Sequence, residues 1–160
     1  MSPKPTYADD RAEIEDLMAR YLFALDFFDA DAYAETFTED GVLDWAMGEV
    51  VGRDAIRAEA AGMKASMGTV FGAKTLLRHF VTNIAISVDG DRASTRAAWF
   101  EAYDNGPDGS PRMGTFGHYE DELARIDGRW LFRRRRIVNE FLEGRKAGPG
   151  NPVRTMEIEP

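Results

Sequence analysis

Three turn signals in the C-terminal half constrain this chain more than any other feature. Asp89-Gly90, Asn105-Gly106 (followed by Pro107) and Asp127-Gly128 each separate two stretches of alternating apolar and polar residues. Dipeptides of this kind supply the positive φ that tight hairpins need. The alternation predicts strands over roughly 74–89, 91–104, 112–126 and 129–141. Strands joined by consecutive hairpins form an antiparallel meander.

The N-terminal half has a different period. Ile14, Leu17, Met18, Tyr21, Leu25 and Phe28 recur at spacings of three and four, which predicts a helix over roughly 8–28. Asp10 and Glu13 are its expected cap and capping-box partner. A short helix over roughly 30–37 follows, capped by Asp29 or Asp31. Thr38-Glu39-Asp40-Gly41 reads as a turn, and residues 42–51 as a hairpin around Met47-Gly48-Glu49. A third helix is predicted over roughly 53–66. Helices and a hairpin ahead of an antiparallel meander make an α+β fold with the helices on one face of the sheet. The expected organisation is one domain over 8–143, between a short tail at 1–7 and a Gly- and Pro-rich tail at 144–160.

Composition narrows the function. A formal charge of −8 speaks against a nucleic-acid groove or an anionic membrane surface as partner. The chain has no cysteine, so disulfides, thiolate nucleophiles and cysteine-based zinc sites are excluded. No apolar stretch has the length of a signal-peptide core or a membrane span, and the cytoplasm is the expected location. Neither a glycine-rich phosphate loop nor a His-x-x-x-His spacing is present, so no metal or cofactor is expected.

The chemistry therefore falls to a few side chains. His79 and His118 are the only histidines, and histidine is the side chain best matched to proton transfer near neutral pH. In strict alternation His79 shares a face with Leu77, Val81, Asn83 and Ala85, while Phe80, Ile84, Ile86 and Val88 form the opposite, more apolar face. Alternation alone thus makes the second face the core and leaves His79 a half-buried strand residue. Tyr21 lies within the apolar stripe of the first helix, and Asp26 on its shoulder. Trp45, Met47, Met63, Met67, Phe71 and Trp99 are bulky groups that line an aromatic pocket or pack a core. Of Arg133-Arg134-Arg135-Arg136, a strand directs two to each side; pairing with Glu120 and Glu122 is the simplest expectation, and one guanidinium facing the pocket is the other.

Taken in order, several segments resemble the SnoaL-like branch of the NTF2-like superfamily. They are Ile14-x-x-Leu17-x-x-x-Tyr21-x-x-x-Leu25-Asp26, Phe37-Thr38-Glu39-Asp40-Gly41, Gly52-Arg53-Asp54-Ala55-Ile56, Arg78-His79-x-x-x-Asn83, Gly117-x-Tyr119-x-Asp121-x-Leu123 and Asp127-Gly128-x-Trp130-x-Phe132. The resemblance spans roughly residues 8–140. It implies a cone-shaped curved sheet, an α+β barrel closed by the N-terminal helices around a deep pocket, and homodimers or homotrimers joined through the sheet. It also turns His79 inward. Scytalone dehydratase and bile-acid 7α-dehydratase carry similar helix tyrosine, helix aspartate and strand histidine sets, which correspond here to Tyr21, Asp26 and His79. The implied activity is that of a cofactor-independent lyase, a dehydratase or a retro-aldol enzyme releasing formaldehyde, acting on a small hydrophobic, aromatic substrate. His79 oriented by Asp26 takes a proton, and Tyr21 assists the oxygen that gains charge. His118, Trp45, Met47, Phe71, Asn83 and Trp99 are the substrate contacts so implied. The same family frame admits an isomerase or cyclase of steroid- or polyketide-like substrates, and a non-catalytic small subunit of a ring-hydroxylating dioxygenase or a ligand-binding module.

Overall fold

The computed structural model describes residues 5–71, 76–140 and 150–156, with side chains of 67–71 and of Pro107 left out. Helix α1 runs Tyr7–Asp26, α2 Ala30–Glu35 and α3 Arg53–Phe71. The strands are β1 Phe37–Trp45, β2 Gly48–Val51, β3 Leu77–Asp89, β4 Arg92–Tyr103, β5 Arg112–Ile126 and β6 Arg129–Asn139. Short 3-10 turns cover Pro107–Gly109 and Pro152–Thr155. Among the described residues no helix is long and apolar enough to cross a membrane.

Helix α1 starts one turn before the expected cap. Thr6 accepts a bond from the Asp9 amide, and the Asp9 carboxylate accepts one from the Thr6 amide, completing a capping box. Asp10 is instead buried, where it accepts from Trp130 Nε1 at 3.2 Å and pairs with Arg125 at 2.6 Å. Ile14, Leu17, Met18 and Tyr21 are fully buried beneath α1. They pack on Phe37, Leu43, Tyr119, Leu123, Trp130 and Phe132 from the sheet, with Tyr33 of α2 and Ile56 of α3.

The six strands form one sheet in the order β2-β1-β6-β5-β4-β3. The meander β3–β6 is antiparallel throughout, as the turn signals require. Strand β1 runs parallel to β6, so the sheet is mixed rather than wholly antiparallel. Hairpin turns fix the direction only of strands they join; β1 reaches β6 by docking across the long connection, and no turn dictates its sense. The curved sheet stays open, with β2 and β3 as its edges, and is not a closed barrel.

The segment Thr38–Gly41 lies inside β1 and is not a turn. The register of β1 on β6 shifts between Phe37 and Val42, a bulge that absorbs the polar run. Gly41 is needed there, because an added Cβ would lie 2.9 Å from the Phe37 Cβ.

A second bulge decides the site. Thr82 pairs with Ala98 and Ala85 with Arg96, so β3 holds one extra residue against β4. Asn83 supplies it, at φ 52. Asparagine tolerates this left-handed backbone better than other non-glycine residues. The extra residue reverses the alternation. His79 and Val81 before it, and Ile84, Ile86 and Val88 after it, all turn toward the helices. Strict alternation, which opposed these two groups, fails at this one position.

Candidate active site

The bulge turns His79 into a cavity of about 580 Å³ between the sheet and the helices. Its wall is largely apolar and aromatic, with Leu25, Trp45, Met63, Leu77, Trp99 and Tyr119 prominent. Polar groups reach it from Tyr21, Tyr33, Glu59, His79, Glu101, Thr115 and Asn139. A mainly apolar cavity with a few convergent polar groups is the usual form of a small-molecule site. Among the described residues that line it there is no lysine or arginine.

Asp26, the last residue of α1, meets His79 twice. Its carboxylate accepts from the His79 backbone amide at 3.0 Å and lies 2.6 Å from His79 Nδ1. Strand β3 is a sheet edge, so among the described residues this amide has no neighbouring strand to bond. The helix-end carboxylate satisfies it and fixes the imidazole with the same group.

Glu101 lies directly opposite His79 on β4. Because the His79 amide is turned outward to Asp26, this is the non-hydrogen-bonded type of cross-strand pair, in which side chains approach most closely. Glu101 Oε2 is 3.4 Å from His79 Nε2. Its other oxygen, Oε1, accepts from the Tyr103 hydroxyl at 2.6 Å, the Thr115 amide at 3.0 Å and the Thr115 hydroxyl at 2.6 Å. Strand β5 carries an extra residue where Phe100 pairs with Phe116 and Ala102 with Met113. The Thr115 amide in that bulge is bonded by Glu101. Both carboxylates of the site therefore accept a backbone amide that the sheet leaves unpaired, Asp26 at an edge strand and Glu101 at a bulge.

This arrangement sets the protonation states. Burial by itself would lower the His79 pKa, but the bond to Asp26 and the contact with Glu101 outweigh it and raise the pKa to about 9. Burial would raise the Glu101 pKa; His79, Thr115 and Tyr103 outweigh it and bring it to about 2. At neutral pH His79 is an imidazolium facing a carboxylate. In that state both ring nitrogens carry a proton, whereas the proton-accepting role that the resemblance implies uses the neutral ring.

The Tyr21 hydroxyl shares the cavity but is bonded to the Tyr33 hydroxyl at 2.8 Å, not to Asp26 or His79. Burial raises the Tyr21 pKa, opposed by the charge of Arg135. Arg135 is the inward member of the four arginines. It is fully buried, bonds Asp121 through Nε at 2.9 Å and Nη2 at 2.7 Å, and lies 4.2 Å from the Tyr21 ring. It stands behind the tyrosine wall and does not line the cavity. Arg134 pairs with Asp44 and Glu49, and Arg136 with Asp44 and Glu120, on the outer face of the sheet.

Three of the expected substrate contacts have other placements. His118 lies on the outer face, 3.3 Å from Glu120 and 3.4 Å from Glu140; it follows Gly117 and precedes the inward Tyr119, and alternation turns it away. Asn83 is the exposed bulge residue. Met47 occupies the β1–β2 turn and is 80% exposed. The Phe71 side chain, like that of Met67, lies outside the described residues. Trp45 and Trp99 do line the cavity, Trp99 stacking on Tyr119 at 6.0 Å. Glu101 is the site residue the sequence did not reveal. Its signal, alternation with Trp99 and Tyr103 on β4, needed the bulge to become readable: the Asp89–Arg92 hairpin register extended without a bulge sets Ala102 opposite His79. Among the described residues no cluster of three or more histidines or carboxylates has the arrangement of a metal site.

Comparison with known proteins agrees with this architecture. The model of the SnoaL-like domain matches residues 6–136. An uncharacterized protein of Mycobacterium tuberculosis (strain H37Rv) is 29% identical over 127 residues, covering 79% of this chain and 82% of its own. An NTF2-like protein of Novosphingobium aromaticivorans with a cystatin-like fold superimposes with a TM-score of 0.71 at 25% identity, over 86% of this chain and 87% of that one. A scytalone dehydratase-like protein of the same organism gives 0.65 at 25% identity, over 81% and 83%. With its open curved sheet, covering helices and the match over most of its length, the chain belongs to the SnoaL-like family of the NTF2-like superfamily, which includes polyketide cyclases and dehydratases.

Proposed function

We propose that the protein is a cofactor-independent dehydratase of uncharged, cyclic β-hydroxyketones of two or three fused rings. The observation that carries this reading is the Asp26–His79 pair, 2.6 Å apart, set in the wall of an apolar cavity. An imidazolium held there has a proton to deliver to a departing hydroxyl. The Tyr21–Tyr33 hydroxyl pair supplies a hydrogen bond to a carbonyl oxygen as it becomes an enolate. The aromatic wall suits a flat ring system, and a scytalone dehydratase-like protein is among the similar structures. Among the described residues the ionisable groups lining the cavity are acidic or phenolic apart from His79, so an anionic substrate would meet net negative charge from them. A non-catalytic module has no evident need of a buried imidazolium between carboxylates, since removing such charges from water costs stability.

The same reading includes a homo-oligomer joined through the outer face of the sheet. Phe80, Phe100 and Phe116 lie side by side there in paired register, Phe80 and Phe116 being 45% and 42% exposed. An apolar row of this kind on an open sheet is characteristic of a contact surface.

The test uses 3-hydroxy-1-tetralone, whose loss of water gives fluorescent 1-naphthol. The wild-type protein is expected to accelerate this reaction, and His79→Ala to lower kcat/KM by about 10²–10⁴-fold. Background rates with the wild type, or a His79→Ala variant within roughly threefold of it, would overturn the reading.

A further inference from the structure

We propose that Glu101 is the catalytic base, taking the proton from the carbon next to the carbonyl, and that it returns this proton to His79 across their contact. The inference rests on the dehydratase reading of the cavity.

The geometry of Glu101 suits the role. Three donors hold Oε1: the Tyr103 hydroxyl, the Thr115 amide and the Thr115 hydroxyl. These fix the plane of the carboxylate and leave Oε2 toward His79 and the cavity, 3.4 Å from Nε2. On the other side of the ring, Asp26 is 2.6 Å from Nδ1 and also bonds the backbone, so it is committed to holding the imidazole. Asp26 does not line the cavity, whereas Glu101 does. Close contact on Nδ1 and a longer one on Nε2 mark Nε2 and Oε2 as the pair that faces a substrate. Acid and base then lie on the same side of the bound ring.

The step balances within the chain. The C–H bond next to the carbonyl breaks, its proton passes to Glu101 Oε2, and its electrons form the new double bond. The C–O bond of the β-hydroxyl breaks as His79 Nε2 delivers its proton, and water leaves. Glu101 is now neutral and His79 neutral. Transfer of the proton from Oε2 to Nε2 restores the carboxylate and the imidazolium. No oxidant, cofactor or solvent proton enters.

Electrostatics agree. With the His79 pKa at about 9 and that of Glu101 at about 2, both groups rest at neutral pH in the states the step requires. Among the described residues the other titratable or charged groups around them are Tyr21 and Asp26 of α1, Tyr33 of α2, Glu59 of α3, Arg78 of β3, Tyr103 of β4 and Tyr119 of β5.

The experiment is the pH profile of kcat/KM for 3-hydroxy-1-tetralone in the wild type, Glu101→Gln and His79→Gln. The side-chain amide of the Glu101→Gln variant retains an oxygen for Thr115 and Tyr103; a thermal melt and 1-naphthol affinity within roughly threefold of wild type show that the fold and cavity persist. If Glu101 is the base, the wild-type profile is level through neutrality and falls above about pH 9, where His79 loses its proton. Glu101→Gln then loses about 10²-fold or more in kcat/KM. A wild-type profile that climbs steadily to about pH 9 would make neutral His79 the base and overturn the proposal. So would a folded Glu101→Gln variant within roughly threefold of wild type. Absence of turnover by the wild type itself would remove the dehydratase reading and this inference with it, whereas turnover that survives Glu101→Gln removes the inference alone.

Discussion

Asp26, His79 and Glu101 form a row in which one cation lies between two anions, and each member depends on the others. Replacing Asp26 by Asn removes the closest charge from the imidazole. The His79 pKa is then expected to fall from about 9 toward its ordinary value, with kcat/KM reduced by roughly tenfold to a hundredfold at neutral pH. Imidazole NMR titration reads this directly, because His118 is the only other histidine. The same row links stability to pH. The His79 pKa is raised from 6.5 to about 9, so its contribution is complete below 6.5 and is lost as pH rises through 9. The Glu101 pKa is lowered from 4.5 to about 2, so its contribution is complete above 4.5 and is lost as pH falls through 2. The Tm difference between wild type and His79→Gln is therefore expected to be largest between pH 4.5 and 6.5 and to shrink toward pH 9. Differential scanning calorimetry across that range checks it.

The elements place this row through two departures from regular β structure. In β3 the extra residue, Asn83, turns His79 inward and keeps Ile84, Ile86 and Val88 inward as well. Deleting Asn83 would send one group or the other to the outer face, at an expected cost of about 3 kcal/mol or more from the exposed side chains. Asn83→Gly is expected to be tolerated at φ 52, while Asn83→Val is expected to cost about 1–2 kcal/mol. Chemical denaturation of the three variants separates these outcomes. In β5 the extra residue brings the Thr115 amide to Glu101, and the glycine before it is part of the device. A Cβ on Gly114 would lie 2.0 Å from the Tyr103 ring and 2.8 Å from the Glu101 Cγ. Gly114→Ala is thus expected to displace both and to weaken turnover even where the fold survives, which activity beside a thermal melt would show.

For the whole molecule, an open sheet has consequences that a closed barrel lacks. Its helix-covered face holds the cavity, and its outer face carries an aromatic row beside a field of ion pairs: Phe80 and Phe100 stack at 4.9 Å, while Arg134 and Arg136 pair with Asp44, Glu49 and Glu120. If that face joins subunits, Phe100→Glu is expected to shift the protein to the monomer without closing the cavity on the other side. Light scattering coupled to size-exclusion chromatography checks the mass, and 1-naphthol binding checks the cavity. An unchanged oligomer would place the subunit contact elsewhere.

The sequence by itself determined the elements and the meander. The helical periodicity of Ile14 to Leu25 and the Asp-Gly turns act over a few residues, and local geometry carries them without help from the rest of the chain. It also supplied three of the site residues, through motif positions that match a family. Only the tertiary structure decided which way the strands face and run. A bulge is one residue in an otherwise regular alternation, and Arg78-His79-Phe80-Val81-Thr82-Asn83 gives no local sign of where the phase reverses. The parallel docking of β1 on β6, the outward turn of His118 and the meeting of Glu101 with His79 all depend on long-range register. Register is set by which faces bury together, and that is a property of the assembled sheet. His79 and Asp26 were visible in the sequence as candidates; the raised pKa of the imidazole and its contact with Glu101 came from the fold.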